Sequence, residues 1–267
     1  MDQRPRETGG EGRVIVQVVE QERLTRDVFR LWIEMEQDTP WSPGQFFYVR
    51  VGEGLDHVLR RPISLSEAVA DRRFALVYRV VGAGTRWLAG RRPGSALDVL
   101  GPLGRGFPLH PGDGRVLVIG GGVGVPPLIQ LAREVRRRGV EVTAVVGFRE
   151  ARDVMLVDEL AALGPVRLLT EDGSAGMPGR VTDALEEDLL RGADRFYACG
   201  PSPMLQAVQG KLSGHLPGYL SLEERMGCGI GVCMGCVHPL RRADGSLVYR
   251  RVCADGPVFP AEEVAFS

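Results

Sequence analysis

The sequence predicts a β + α/β protein: an antiparallel β-barrel, then a Rossmann-like parallel sheet, then a short cysteine-bearing segment. Three observations carry this. Short apolar runs broken by turns fill the first hundred or so residues, a strand–helix rhythm follows from Arg115, and four of the five cysteines crowd into the last forty residues. At 267 residues and 44% hydrophobic content, the chain has apolar surface for two cores and an appendage. A formal charge of −1 gives no reason to expect a nucleic acid or an anionic membrane as partner. No window reaches the ~18 apolar residues of a membrane span. Five cysteines, an odd number, argue against a secreted disulfide framework and for a soluble, cytoplasmic chain.

In chain order, residues 1–12 are polar, lack the apolar core of a signal peptide, and read as a disordered tail. Residues 13–110 read as the barrel, with strands over 14–19, 28–33, 45–51 and 74–81. The Pro/Gly-rich stretch 101–114 marks a boundary. Residues 111–218 read as the α/β unit, with strands over 115–119, 141–147, 166–170 and 195–199 and an amphipathic helix over 127–138. Residues 219–267 hold the cysteine segment and a tail, and no internal repeat is present.

Cys228, Cys233, Cys236 and Cys253 follow C-x4-C-x2-C plus a distant fourth, the spacing of a plant-type [2Fe–2S] site. Such a loop must curl tightly and aim N–H groups at sulfur, and glycines at 227, 229, 231 and 235 permit that. A structural zinc site, a disulfide pair and simple packing are the alternatives. Zinc sites usually pair two short hooks, and the lone Cys253 makes a poor second one. In the α/β unit, Gly121, Gly122, Gly124 and Pro126 lie in a glycine loop between a strand and a helix, where a backbone can approach a pyrophosphate. Pro126 departs from the G-x-G-x-x-G pattern, so a generic tight turn stays open. Cys199 stands at a strand end, where open α/β sheets bind ligands, or else is a small buried hydrophobe. In the barrel, Arg61 can clamp a pyrophosphate and Ser64 can meet a flavin ring. Tyr78 and Arg79 add an aromatic face and a second cation, while Gly84 and Thr85 read as a capped helix start open to phosphate. Taken singly, Arg61 could be a surface arginine, Tyr78 a core residue and Thr85 only a cap.

Barrel Arg-Pro-x-Ser, Gly-Thr helix start, Gly-Gly-Gly-x-Gly-x-Pro-Pro and Cys-Gly-Pro-x-Pro-Met occur in the order found in ferredoxin–NADP reductase-like flavoproteins, which the chain resembles from about residue 13 to 260. With Leu222-Glu-Glu-Arg-Met-Gly-Cys-Gly and the later Val252-Cys-Ala-Asp-Gly-Pro, it resembles more narrowly the electron-transfer subunits of type B dihydroorotate dehydrogenase. That resemblance implies one FAD, one [2Fe–2S] cluster, NAD(H) as substrate, and a heterotetramer with two FMN-bearing catalytic subunits in pyrimidine biosynthesis. By motif it implies FAD contacts at Arg61, Pro62, Ile63, Ser64, Val77, Tyr78, Arg79, Gly84 and Thr85, with Ser64 near flavin N5. It also implies cluster ligation by Cys228, Cys233, Cys236 and Cys253, a dinucleotide site shaped by Gly121, Gly122, Gly124 and Pro126, and Cys199 near the nicotinamide. Arg149 and Arg152 could engage a 2′-phosphate, but Glu150 and Asp153 lie beside them, and the resemblance favours NAD. Dihydroorotate chemistry is expected in the partner chain. The alternatives are an electron-transfer flavoprotein serving a hydrogenase or a ferredoxin–NADP transhydrogenase, and, from another class, a zinc-stapled interaction module.

Overall fold

Side chains pointing alternately to two faces drive the first part of the chain into strands, and closure removes their edges from solvent. The computed structural model describes residues 12–266, so the tail expected over 1–12 lies, apart from Gly12, outside the described residues. Strands β1 (Arg13–Arg23), β2 (Val28–Glu34), β3 (Phe46–Val49), β4 (Arg61–Val69), β5 (Arg73–Arg79) and β6 (Ala96–Leu103) form a closed antiparallel barrel in the order β1-β2-β5-β4-β3-β6. Its interior is filled by side chains at every second position, among them Leu31, Ile33, Phe47, Val49, Leu65 and Leu76. β1 runs four residues beyond its expected end because a register irregularity between Val18 and Glu20 lets pairing with β2 continue. Helix α1 (Ala83–Ala89) follows β5.

The second unit alternates strand and helix: β7 (Arg115–Gly121), α2 (Pro126–Arg137), β8 (Glu141–Phe148), α3 (Val157–Ala161), β9 (Val166–Thr170), β10 (Met177–Pro178), α4 (Glu187–Leu190), β11 (Arg195–Cys199) and α5 (Ser202–Leu212). Then come β12 (Gly218–Ser221), the hairpin β13 (Val237–Arg241) and β14 (Leu247–Arg251), and β15 (Val258–Pro260). The sheet order is β10-β9-β8-β7-β11-β12-β15, parallel except for β15 against β12. The cysteine segment is therefore tied into the sheet by a strand at each end, with its own β13–β14 hairpin between them.

α2 begins with two prolines, which suit a first turn that has no N–H partners to lose. Leu128, Ile129, Leu131, Ala132 and Val135 recur at helical spacing and are buried. Its other flank meets the barrel. The Gln130 amide oxygen accepts from the Ala68 N–H at 3.1 Å, and Ser66 Oγ donates to the Pro126 carbonyl at 3.2 Å. Buried Glu67 on β4 accepts from Arg30 of the barrel at 2.9 Å and from Arg133 of α2 at 2.6 Å. These bonds fix the barrel against the sheet, and both clefts described next open along that junction.

Candidate functional site

The four C-terminal cysteines sit in one lobe, Cys228 beside Cys233 and Cys236 beside Cys253. Backbone N–H groups point at the sulfurs: Val232 and Cys233 at Cys228 Sγ (3.3 and 3.4 Å), Gly235 at Cys233 Sγ (3.4 Å), and Cys253 at Cys236 Sγ (3.4 Å). The curl that aims them depends on positive φ at Gly229 (+76°) and Gly231 (+83°). Arg251 braces it, donating to the Gly231 carbonyl at 2.8 Å while forking onto Asp255 at 2.9 and 3.1 Å. Burial opposes charge on Cys228, but N–H groups of Cys233, Ile230 and Val232 outweigh it and hold its pKa down to about 6. At Cys253, burial and the bond to Cys236 push the thiol up to about 12. Among the described residues no three His, Cys, Asp or Glu side chains converge as a single-ion site requires. Two neighbouring cysteine pairs whose sulfurs accept backbone N–H bonds suit a binuclear iron–sulfur core better than one zinc ion.

The first cleft, about 410 Å³, lies between the barrel and the start of this lobe, lined by Phe46, Pro62, Ser64, Ser221, Glu223 and Met226 among others. β4 and β3 pair there in the register Phe46↔Ser64 and Tyr48↔Pro62. Alternation sends Pro62 and Ser64 outward to the cleft and Ile63 into the barrel core. The Arg61 guanidinium rests at the first turn of α1, where a Cβ on Gly84 would come within 3.3 Å of Arg61 Nη2 and 2.7 Å of Val51 Cγ2. Thr85 is not the N-cap. Gly82 takes that place, and Thr85, three residues on, reaches back to accept from the N–H groups of Gly82 (3.2 Å) and Val81 (3.1 Å). Tyr78 points into the barrel, stacked on Phe29 with its hydroxyl donating to Gln21 at 3.0 Å. Val77 is buried among residues of the α/β unit, and Arg79 pairs with Asp27 at 3.4 Å.

The second cleft, about 380 Å³, opens at the C-terminal ends of β7, β8 and β11. Arg79, Gly121, Gly122, Gly147, Arg149 and Met204 contribute to its lining. A side chain at Gly121 would collide with Met204 Sδ, and one at Gly124 would overlap the Cys199 carbonyl, so the two strand-end loops meet backbone to backbone. Pro126 opens α2 directly behind. Glu150 engages Arg152 and Arg26, which leaves Arg149 as the cation of that trio in the cleft. Asp153 also lines it, and its Oδ1 is buried without a hydrogen-bond partner. Cys199 is fully buried, and desolvation pushes its thiol up to about 12.

Two residues escaped the sequence reading. Glu223 stands on the wall of the first cleft, where crowding by protein atoms raises its carboxyl pKa. Its position directly before the cysteine loop was the available signal. Tyr48 gave none, being one aromatic residue in the apolar run Phe46-Phe-Tyr-Val49.

A family model for the iron–sulfur cluster binding domain of dihydroorotate dehydrogenase B matches residues 223–265, and one for the oxidoreductase NAD-binding domain matches residues 118–210. The dihydroorotate dehydrogenase B (NAD(+)) electron transfer subunit of Geobacillus thermodenitrificans is 45% identical, over 95% of this chain and 98% of its own. The same subunit of Geobacillus kaustophilus is 48% identical over 88% and 89%. The solved NADH-dependent reduced ferredoxin-NADP oxidoreductase, studied for flavin-based electron bifurcation, superposes with a TM-score of 0.82 at 31% identity, covering 97% of this chain and 91% of that one. Identity at this level along almost the whole of both chains, with the cluster-binding match falling on the paired cysteines, leaves one conclusion: the chain belongs to the family of dihydroorotate dehydrogenase B electron transfer subunits.

Proposed function

We propose that this chain carries electrons between NAD(H) and the FMN of a dihydroorotate dehydrogenase catalytic subunit, through its own FAD and [2Fe–2S] cluster, in de novo pyrimidine biosynthesis. The observation that carries the reading is the two-pair cysteine cradle packed directly against a barrel and sheet of the flavin-reductase kind. When bound, the flavin exchanges two electrons with NAD(H) and passes them singly to the cluster. The chain's own residues bind, orient and shield.

We assign residues 13–110 to FAD, 111–218 to NAD(H) and 219–267 to the cluster, the last as a lobe sharing β12 and β15 with the sheet rather than a separate domain. Arg61 would supply the cation for the pyrophosphate, its half-buried guanidinium being held beside Gly84 while Nη1 donates to the Leu59 and Arg60 carbonyls. Pro62 and Ser64 would line the flavin ring's cleft, with Gly84 and Thr85 shaping the turn behind it. Tyr78 would support β5 from within the barrel, Val77 would pack it against the α/β unit, and Arg79 would reach toward the dinucleotide instead. Gly121, Gly122, Gly124 and Pro126 would admit the dinucleotide backbone, and Cys199, an uncharged thiol buried behind the Gly124 turn, would support the nicotinamide end from beneath. Asp153, an acceptor lacking a donor, would suit a ribose diol and repel a 2′-phosphate, which favours NAD. Cys228, Cys233, Cys236 and Cys253 would ligate the cluster.

Two such chains would join two catalytic subunits. Ile230, Val232 and Met234 are exposed on the cysteine loop, with Val232 76% open, and an apolar surface over a redox centre suits a partner face. Met226, at the start of the same loop, is buried. Among the described residues no helix is long and apolar enough to cross a membrane. A cluster needs reduced thiolates, and we infer a cytoplasmic site of action on that ground. The 31% identical oxidoreductase keeps a ferredoxin–NADP transhydrogenase role as the second reading, and the higher identity to the two Geobacillus subunits favours the first.

Co-expression with an FMN-bearing dihydroorotate dehydrogenase chain tests the reading. The two should co-purify and catalyse NADH-dependent orotate turnover, and Met234→Glu should abolish turnover while sparing NADH reduction of FAD in the isolated chain. Turnover by the catalytic chain at the same rate without this subunit would sink the proposal.

A further inference from the structure

We infer that Tyr48 is a positioning residue that pins the Cys228 loop to the barrel strand beside the flavin-site motif, and so fixes the spacing between the two redox sites. The inference rests on the assignment of FAD to the Arg61–Ser64 strand and of the cluster to the four cysteines.

β3 lies between β4 and β6, and all four of its residues are buried. Phe47 and Val49 face the barrel interior. Phe46 and Tyr48 face the other way, into the core shared with Met226, Cys236 and Cys253. Tyr48 is 1% exposed, so its hydroxyl must find its partner inside the protein. It donates to the carbonyl of Met226 at 2.8 Å, shared with that of Gly227 at 3.0 Å. The ring also lies against Gly229, where an added Cβ would be 2.8 Å from Cε1. Tyr48 thus grips the backbone on both sides of Cys228. Across the ladder its register partner is Pro62, and Phe46 pairs with Ser64. One strand spacing of ~4.8 Å therefore separates the residue gripping the cluster loop from the strand expected to hold the flavin. Electron tunnelling falls off exponentially with distance, so a loop free to swing would slow transfer even with both groups in place.

The barrel could be stable without a hydroxyl here, since phenylalanine would fill the same space. A buried phenol bonded to two loop carbonyls serves placement more than packing.

The test is Tyr48→Phe in the complete chain carrying FAD and cluster. Removing the shared bond should make amides over 227–233 exchange with deuterium roughly tenfold faster, the factor that corresponds to ~1.4 kcal/mol of lost docking. Exchange over α2 should not change. In anaerobic stopped flow, NADH should bleach the flavin at the wild-type rate, and the cluster bands should follow more slowly. Exchange and cluster reduction both at wild-type values would overturn the inference. Equal slowing of both phases, or loss of FAD together with the cluster, would also overturn it, by making Tyr48 a general structural residue. Loss of the cluster alone would assign Tyr48 to cradle assembly and overturn it as stated. A wild-type chain without flavin, iron and sulfide would instead refute the cofactor assignment itself.

Discussion

Gly229→Ala should dismantle the cluster cradle, and the size of the effect follows from the backbone. Gly229 sits at φ +76°, where a residue with a Cβ loses about 1–2 kcal/mol. The new Cβ would also overlap the Tyr48 ring, 2.8 Å from Cε1, and Tyr48 is walled in by the core and cannot turn aside. Overpacking of that kind costs about 1–3 kcal/mol. Together, about 2–5 kcal/mol falls on a single loop, a shift of thirtyfold or more against its closed form. Gly235→Ala is the matched control. It lies in the same loop, has no positive φ, and its Cβ would meet nothing closer than Cys233 Sγ at 3.4 Å. Iron and inorganic sulfide per chain, with visible circular dichroism, report the outcome. Gly229→Ala should emerge depleted and Gly235→Ala near wild type. Full iron and sulfide in the Gly229 variant would refute the reasoning.

Arg61→Ala should weaken FAD retention by roughly 1.5–3 kcal/mol through loss of a charge-assisted phosphate contact, with iron content unchanged. Flavin content equal to wild type after dialysis would count against that role. Cys253→Ser should lower iron and sulfide sharply while NADH still reduces the flavin, and Cys199→Ser should leave iron and sulfide near wild type. The reverse pattern would redraw the ligand set.

Much of this arrangement could be read from residues alone. Four of the six barrel strands, β1, β2, β3 and β5, were legible as apolar runs between turns, while β4 and β6 were not, and the cysteine spacing singled out a cluster because few other sites need three thiols in nine residues. What escaped was long-range pairing. β15 is three residues, Val258–Pro260, ending in a proline, and nothing local marks it as the outer strand of a sheet begun far upstream at Arg115. Thr85 was misplaced by three positions because a threonine at N3 looks like a cap in sequence, while the true cap, Gly82, has no side chain to signal it. Tyr78 and Tyr48 show the same limit from two sides. Both are tyrosines in apolar strands, yet Tyr78 turns into the barrel and Tyr48 turns out to the cysteine lobe, a difference set by the parity of each strand against its neighbours.

The central claim is that one chain holds a two-electron entry site and a one-electron exit site in series. Anaerobic titration of the purified chain with NADH, followed by visible absorbance and low-temperature electron paramagnetic resonance, tests it most directly. The account predicts about two irons and two sulfides per FAD, bleaching of the flavin, and a reduced [2Fe–2S] signal from the same sample. Bleaching of the flavin with zinc in place of iron, or an iron–sulfur signal that NADH never elicits, would contradict it.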